Sequence, residues 1–212
     1  MNIYLPMKND LLDKGEGTIW TGGGLNLPEI VEFKGTKCAK FDGKSRLKLQ
    51  DNNLLRPLAV WTMQAWIYPT KIGTDYNGNS HVLSNAIIGV TTYYDIYWRL
   101  TTATSSDLCG NTVTFSSSIL NAWHHVKITS DGTTIYFYLD GEELKTIPRA
   151  SLGFNQNGFT VGGENGSATA DANFYGYMTQ FKLSDVYNDK DLLRENSKIL
   201  YINKNNEVWA MV

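Results

Sequence analysis

Three kinds of chemistry can be sought in these residues: hydrolysis by paired carboxylates, metal capture, and stacking against sugars. Hydrolysis of a glycoside needs two carboxyl groups placed on one face. Glu142 and Glu143 are adjacent, so on a strand they point apart, and they follow a turn. His124 and His125 are also adjacent, so alternation sends them to opposite faces and they cannot share one metal. His81 has no acid, Cys or Ser partner evident in the sequence and reads as structural. No Gly-rich phosphate loop or nucleophile elbow is present. Sugar binding asks instead for aromatic rings against the apolar ring face and polar groups for the hydroxyls. Tyr76 stands beside Asn77 and Asn79, and Tyr93, Tyr94, Tyr97 and Trp98 crowd one short region. A second polar stretch offers Asn165, Asp171 and Asn173. The candidate ligand contacts are Tyr76, Asn77, Tyr94, Trp98, Asn165, Asp171 and Asn173, and the chain is expected to bind and not to catalyse.

The elements that must position these residues are strands. Ile135, Phe137 and Leu139 alternate with Tyr136, Tyr138 and Asp140, and His125 and Lys127 alternate with Val126 and Ile128. Asp131-Gly132 joins the two runs and Asp140-Gly141 closes the second, since glycine tolerates the positive φ of a tight turn. Residues 126–147 thus read as a three-strand meander. Further strands are expected near 2–6, 37–42, 45–50, 60–68, 80–85, 86–92, 94–102, 111–118, 158–163 and 173–184. Many short strands with Gly- and Asn-rich punctuation, and no alternation with helices, predict an all-β antiparallel sandwich. Long loops are expected at 71–80, 103–111 and 163–173, where binding residues usually sit. Residues 188–199 are charged and read as a short helix, with Asn188 or Asp189 as its cap. The runs on either side of Asn203-Lys204-Asn205-Asn206 read as a terminal hairpin. Residues 1–187 are expected to form the sandwich, and 188–212 an appendage packed on it or docking it.

The bulk composition narrows the partners. At 212 residues the chain fits one sandwich domain. Lys+Arg, 19, nearly cancels Asp+Glu, 21, so no electrostatic footprint for nucleic acid or an anionic membrane exists. Cys38 and Cys109 are too few for a disulfide framework or a four-ligand zinc site, although a single bridge stays open. No basic n-region with an apolar core opens the chain, and no run approaches the length of a membrane span. Such a chain is expected to stay in the cytoplasm or to leave by a route such as lysis; a fragment of a surface protein is the alternative.

An ordered set of short motifs resembles the laminin-G-like branch of the concanavalin A-like lectin/glucanase superfamily. They are Phe41-Asp42-Gly43, Trp61 to Pro69, His81-Val82-Leu83-Ser84, Trp123-His124-His125-Val126, Tyr138-Leu139-Asp140-Gly141, Val161-Gly162-Gly163 and Phe174-Tyr175-Gly176-Tyr177-Met178. The resemblance covers about residues 1–187 and implies a jelly-roll sandwich with Trp66 and Trp123 as large core residues. It implies Gly162, Gly163 and Gly176 where backbones crowd. Laminarinase-like enzymes of that superfamily carry Glu-x-Asp-x-x-Glu on one strand, and no Glu-x-Asp occurs here. Calcium is common in the family; the resemblance places Asp13 at one ligand position and Gln180, uncharged, at the other. The ending from Ile199 to Met211 is similar to endings found in phage and prophage tail regions. The resemblance thus implies a lectin-like module on a virion, as a tail or decoration protein, with a glycan or other cell-surface polymer as partner. Other virion proteins are further expected partners, a homo-oligomer stays open, and a purely structural virion role is the alternative.

Overall fold

The computed structural model describes residues 2–15, 17–22, 25–49, 59–72, 80–84, 96–149, 159–163, 173–192, 200–202 and 208–210. The strands are β1 (Asn2–Leu5), β2 (Trp20–Thr21), β3 (Glu29–Phe33), β4 (Thr36–Asp42), β5 (Leu47–Leu49), β6 (Val60–Lys71), β7 (Ser80–Ser84), β8 (Tyr97–Thr102) and β9 (Ser105–Leu108). They continue as β10 (Asn111–Thr114), β11 (His124–Asp131), β12 (Thr134–Leu139), β13 (Glu142–Pro148), β14 (Thr160–Val161), β15 (Tyr175–Ser184), β16 (Leu200–Ile202) and β17 (Val208–Ala210). Among the described residues there is no α-helix. One sheet of eight strands runs β13-β12-β11-β6-β15-β4-β3, with β1 also on β15. A second sheet of seven runs β10-β9-β8-β7-β14-β5-β2. Every strand pair in both is antiparallel. The all-β antiparallel sandwich expected from the alternation is the fold.

The core lies between the two sheets. Ile3, Phe41, Met63, Ile67, Val126, Ile128, Phe137, Phe181 and Leu183 enter it from the first, and Leu47, Leu49, Val82, Trp98, Leu100 and Val161 from the second. Trp98 meets Phe137 across the gap at 6.2 Å between ring centres, and Phe159 stacks on Phe181 at 5.6 Å. Two glycines are fixed by this packing. A Cβ on Gly162, at φ +75°, would stand 2.2 Å from the Phe41 ring. One on Gly176 would stand 2.1 Å from the Tyr68 carbonyl oxygen. The meander is present as read, and both residues of its Asp140-Gly141 turn have positive φ, 51° and 85°.

Two expectations are corrected, one strand is added, and the helix expected over 188–199 is described only in its first five residues. The 103–111 stretch is not a long loop: it holds β9, hydrogen-bonded to β8 and β10. Ser105-Ser106-Asp107 hides it from a hydrophobic pattern, because inward Ser106 accepts the Trp98 indole N–H at 3.2 Å. Strand β3 was also invisible as a partner of β4; Lys34-Gly35, both at positive φ, turns that hairpin. Trp66 pairs with His125 on the outer face of the first sheet, and Trp123 packs there against Tyr68; the core tryptophans are Trp61 and Trp98. Residues 188–192 form no helix but continue a strap across that same outer face, and 193–199 lie outside the described residues. Leu200–Ile202 pairs antiparallel with Val208–Ala210. The strand expected at 86–92 also lies outside the described residues. Cys38 and Cys109 are both buried and are not joined in a disulfide.

Candidate functional site

Register decides which segments meet. Asp42 pairs with Tyr175, and Tyr175 with Lys71, so the exits of β4 and β6 and the start of β15 share one row. Val161 pairs with Leu83 while Thr160 pairs with Ser84, so β14 leaves toward the end where β7 begins. The segments carrying Tyr76 and Asn77, and Asn165, Asp171 and Asn173, are therefore anchored at one end of the sandwich. The segment carrying Tyr94 is anchored at the other end, between Ser84 and Tyr97. Tyr76, Asn77, Tyr94, Asn165 and Asp171 themselves lie outside the described residues.

Two candidate contacts prove to be interior. Trp98 is fully buried, because the strand that turns Tyr97 and Arg99 outward must turn Trp98 into the core. Asn173 is fully buried and donates from Nδ2 to the Gly43 carbonyl at 2.9 Å, tying the approach to β15 to the turn after β4. Tyr97 faces out, but its hydroxyl donates to Asp107, which also takes the Arg99 guanidinium at 2.6 Å. This is a cross-strand clamp between β8 and β9, and burial followed by the Asp107 charge pushes the Tyr97 phenol well above its usual range.

Among the described residues, that end presents Tyr175 and Lys71. The half-buried Tyr175 ring lies where a Gly43 Cβ would stand, and the exposed Lys71 ammonium sits 3.9 Å from its centre. Tyr175 and Tyr177 are two apart on one face of β15, a spacing that could have flagged them. Tyr177 stacks on Phe33 at 3.7 Å, and Lys34 Nζ donates to Tyr68 Oη at 2.6 Å, so the β3–β4 hairpin curls over the outer face.

Farther along that face the strap is bound by side chains of β6 and β11. Gln64 Nε2 donates to Lys190 O at 3.0 Å, and Gln64 Oε1 accepts from Leu192 N at 3.0 Å. Trp66 Nε1 donates to Leu192 O, and Lys127 Nζ reaches Asn188 and Asp191. This cover explains why Thr62, Gln64, His125, Lys127 and Thr129 are buried although they point away from the core. Because Gln64 Nε2 is committed, the 2.9 Å contact between Gln64 Oε1 and His125 Nε2 requires the proton on that ring nitrogen. Burial holds the His125 ring neutral, its pKa down at about 4. His124 faces the opposite way and meets Asp140 Oδ2 at 2.7 Å, while Asp140 Oδ1 accepts from His125 N. Both histidines serve the scaffold.

The calcium expectation does not fit the residues. Asp13 Oδ1 accepts from Tyr4 N and Gly15 N, and Oδ2 from Thr18 N and Thr18 Oγ1. Those four bonds use the roughly four lone-pair sites of a carboxylate. Burial would raise the Asp13 pKa, but these donors outweigh it and hold the group below its usual range. Asp13 is the clasp of the turn after β1. Gln180 lines a separate cleft to which Asp13 does not belong. Among the described residues no cluster of three or more His, Cys, Asp or Glu is placed to hold a metal.

The two-sheet antiparallel architecture defines a concanavalin A-like sandwich. The family model Laminin_G_3, concanavalin A-like lectin/glucanases superfamily, matches residues 41–189, and the chain belongs to that family. No curated protein matches the chain in sequence. Solved structures share the fold at low identity. The binding domain of Paraclostridial Mosquitocidal Protein 1 is 16% identical with a TM-score of 0.62, over 87% of this chain and 48% of that one. Domain 4 of AbnA, a GH43 extracellular arabinanase from Geobacillus stearothermophilus, in complex with arabinotriose, is 19% identical with a TM-score of 0.56, over 85% of this chain and 90% of that one. Trypanosoma rangeli sialidase in complex with DANA is 14% identical with a TM-score of 0.65, over 87% of this chain but only 30% of that one. The chain thus spans about half of the toxin binding domain and under a third of the sialidase.

Proposed function

We propose that the chain is a non-catalytic recognition module that binds a glycan or another cell-surface polymer at the loop end of its sandwich. The observation that carries this reading is the Asp42–Tyr175–Lys71 row, which gathers the anchors of both polar loops around a half-buried ring and an exposed ammonium. A tyrosine face and a neighbouring cation suit a sugar ring with its hydroxyls. The arabinotriose complex of one fold relative and the toxin binding domain support recognition as the role. The adjacent, exposed Glu142 and Glu143 on β13 offer no facing pair for hydrolysis. We place the module on a phage particle as a tail or decoration protein, with residues 188–212 toward its docking partner; the support is the likeness of the chain's ending to tail-region sequences. A purely structural assembly role is the alternative.

A glycan array with the wild type, Tyr175→Ala and Lys71→Ala tests the reading. Specific binding that falls at least tenfold in both variants is expected, and EDTA is expected to leave it unchanged because Asp13 is already saturated. A blank array with cleanly folded protein refutes it and favours the structural role. That role is then tested by oligomeric state after truncation following Leu192, which spares the strap contacts of Gln64 and Lys127.

A further inference from the structure

A cleft of about 300 Å³ opens between the tip of the β3–β4 hairpin, the segment after β1 and the middle of β15. That size is at the lower end of the roughly 300–1,000 Å³ typical of small-molecule sites. Lys8, Glu32, Thr36, Lys37, Thr179 and Gln180 line it. Gln180 is the unusual member. It is 4% exposed, yet its Oε1 is buried without a hydrogen-bond partner among the described residues. Its φ is +58°, a left-handed conformation that is costly for a residue with a side chain. The cause is a bulge: Thr179 pairs with Trp66 and Lys182 with Gln64, so Gln180 and Phe181 together oppose Ala65. The bulge keeps Phe181 in the core and turns Gln180 toward the cleft. Glycine would take this φ without strain, yet the position carries a strained side chain whose amide oxygen has no partner among the described residues, which points to a ligand that completes it.

The chemistry of the wall selects among ligands. Once the Gln180 side chain turns its covered Oε1 out of the wall, that acceptor asks for a hydrogen-bond donor, which a hydroxyl supplies and a bare anion does not. Two lysines against one glutamate leave the cleft one positive charge, and Lys37 Nζ is held by the neutral Asn9 Oδ1 at 3.2 Å. Thr179 Oγ1 donates to Pro6 O at 3.0 Å, fixing one wall. A ligand joining one carboxylate to several hydroxyls matches all of these at once.

We propose that this cleft binds the uronic-acid unit of an acidic polysaccharide, its carboxylate at Lys37 and a ring hydroxyl donating to Gln180. The site is separate from the loop end, because Gln180 and Tyr175 are about 16 Å apart along β15 at the usual rise per residue.

The test is an amide NMR titration of the whole chain with methyl glucuronide and, in parallel, methyl glucoside. Gln180→Gly, which suits the local φ, and the surface change Lys37→Gln are titrated alongside, with thermal melts to confirm folding. Saturable shifts of the Gln180 side-chain amide with glucuronide are expected, at least tenfold weaker for glucoside and for Lys37→Gln, and binding is expected to be lost in Gln180→Gly. No saturable shift at the cleft, or equal affinity for the two sugars, overturns the assignment. Shifts confined to the surroundings of Tyr175 and Lys71 overturn it too, while leaving the recognition reading intact.

Discussion

Acid should loosen this protein through one imidazole. His125 is 4% exposed, under the strap and against Trp66, with its ring centre 5.2 Å from the indole. Burial first, then the Lys127 charge, favours the neutral ring, against the opposing charges of Asp191 and Asp140, and the folded-state value is about 4. The unfolded value is about 6.5. The folded pKa lies below the unfolded one, so between them the unfolded chain binds the extra proton and stability falls as pH falls. From pH 7 to 4.5 this single group should remove about 2.5 kcal/mol, from about 1.4 kcal/mol per pH unit across the window. Urea unfolding at both pH values, for the wild type and His125→Gln, measures it. Asp13, Asp140 and Asp189 have lowered folded pKa values and also lose stabilisation in acid, so the informative quantity is the difference between the two proteins. The variant should start less stable at pH 7 and lose about 2.5 kcal/mol less on acidification. Parallel losses would show that the ring is not held neutral by burial, and the account of the strap as a desolvating cover would fail.

Three other changes probe the same construction. Gln64→Ala leaves His125 Nε2, Leu192 N and Lys190 O without their partner, so unfolding should cost about 1–3 kcal/mol less and limited proteolysis beyond Asp189 should quicken. Asp13→Asn can no longer accept four bonds as an anion, so about 2 kcal/mol should be lost at pH 7, and the difference should shrink as pH falls below the usual carboxylate range toward the lowered folded-state pKa, read by chemical denaturation. Gly162→Ala drives a methyl into the Phe41 ring at a positive φ and should lower stability by more than about 2 kcal/mol, seen as a large fall in melting temperature.

Period-two alternation and Asp-Gly turns were enough to reveal the sandwich, because strand faces and positive-φ turns are local properties of neighbouring residues. The meander of β11, β12 and β13 could be read without a structure for that reason. Strand β9 could not, since Ser106 faces inward only because the Trp98 indole on the neighbouring strand needs an acceptor. Likewise alternation puts Tyr97 and Trp98 on opposite faces, and only packing against the first sheet, where Trp98 meets Phe137, decided which is buried. Trp66 and Gln64 look like core and surface from their types, yet both sit under a strap that arrives more than 120 residues later. The calcium reading paired Asp13 with Gln180 by position, and the tertiary fold gave Asp13 four donors and Gln180 a cleft of its own. The sequence by itself determined most of the strands, the Asp-Gly turns and the absence of a Glu-x-Asp motif, which depend on adjacent residues. Which end anchors the polar segments, which polar groups are covered and which amide oxygen lacks a partner among the described residues were decided by strand register and by the crossing of distant segments, and no local pattern encodes these.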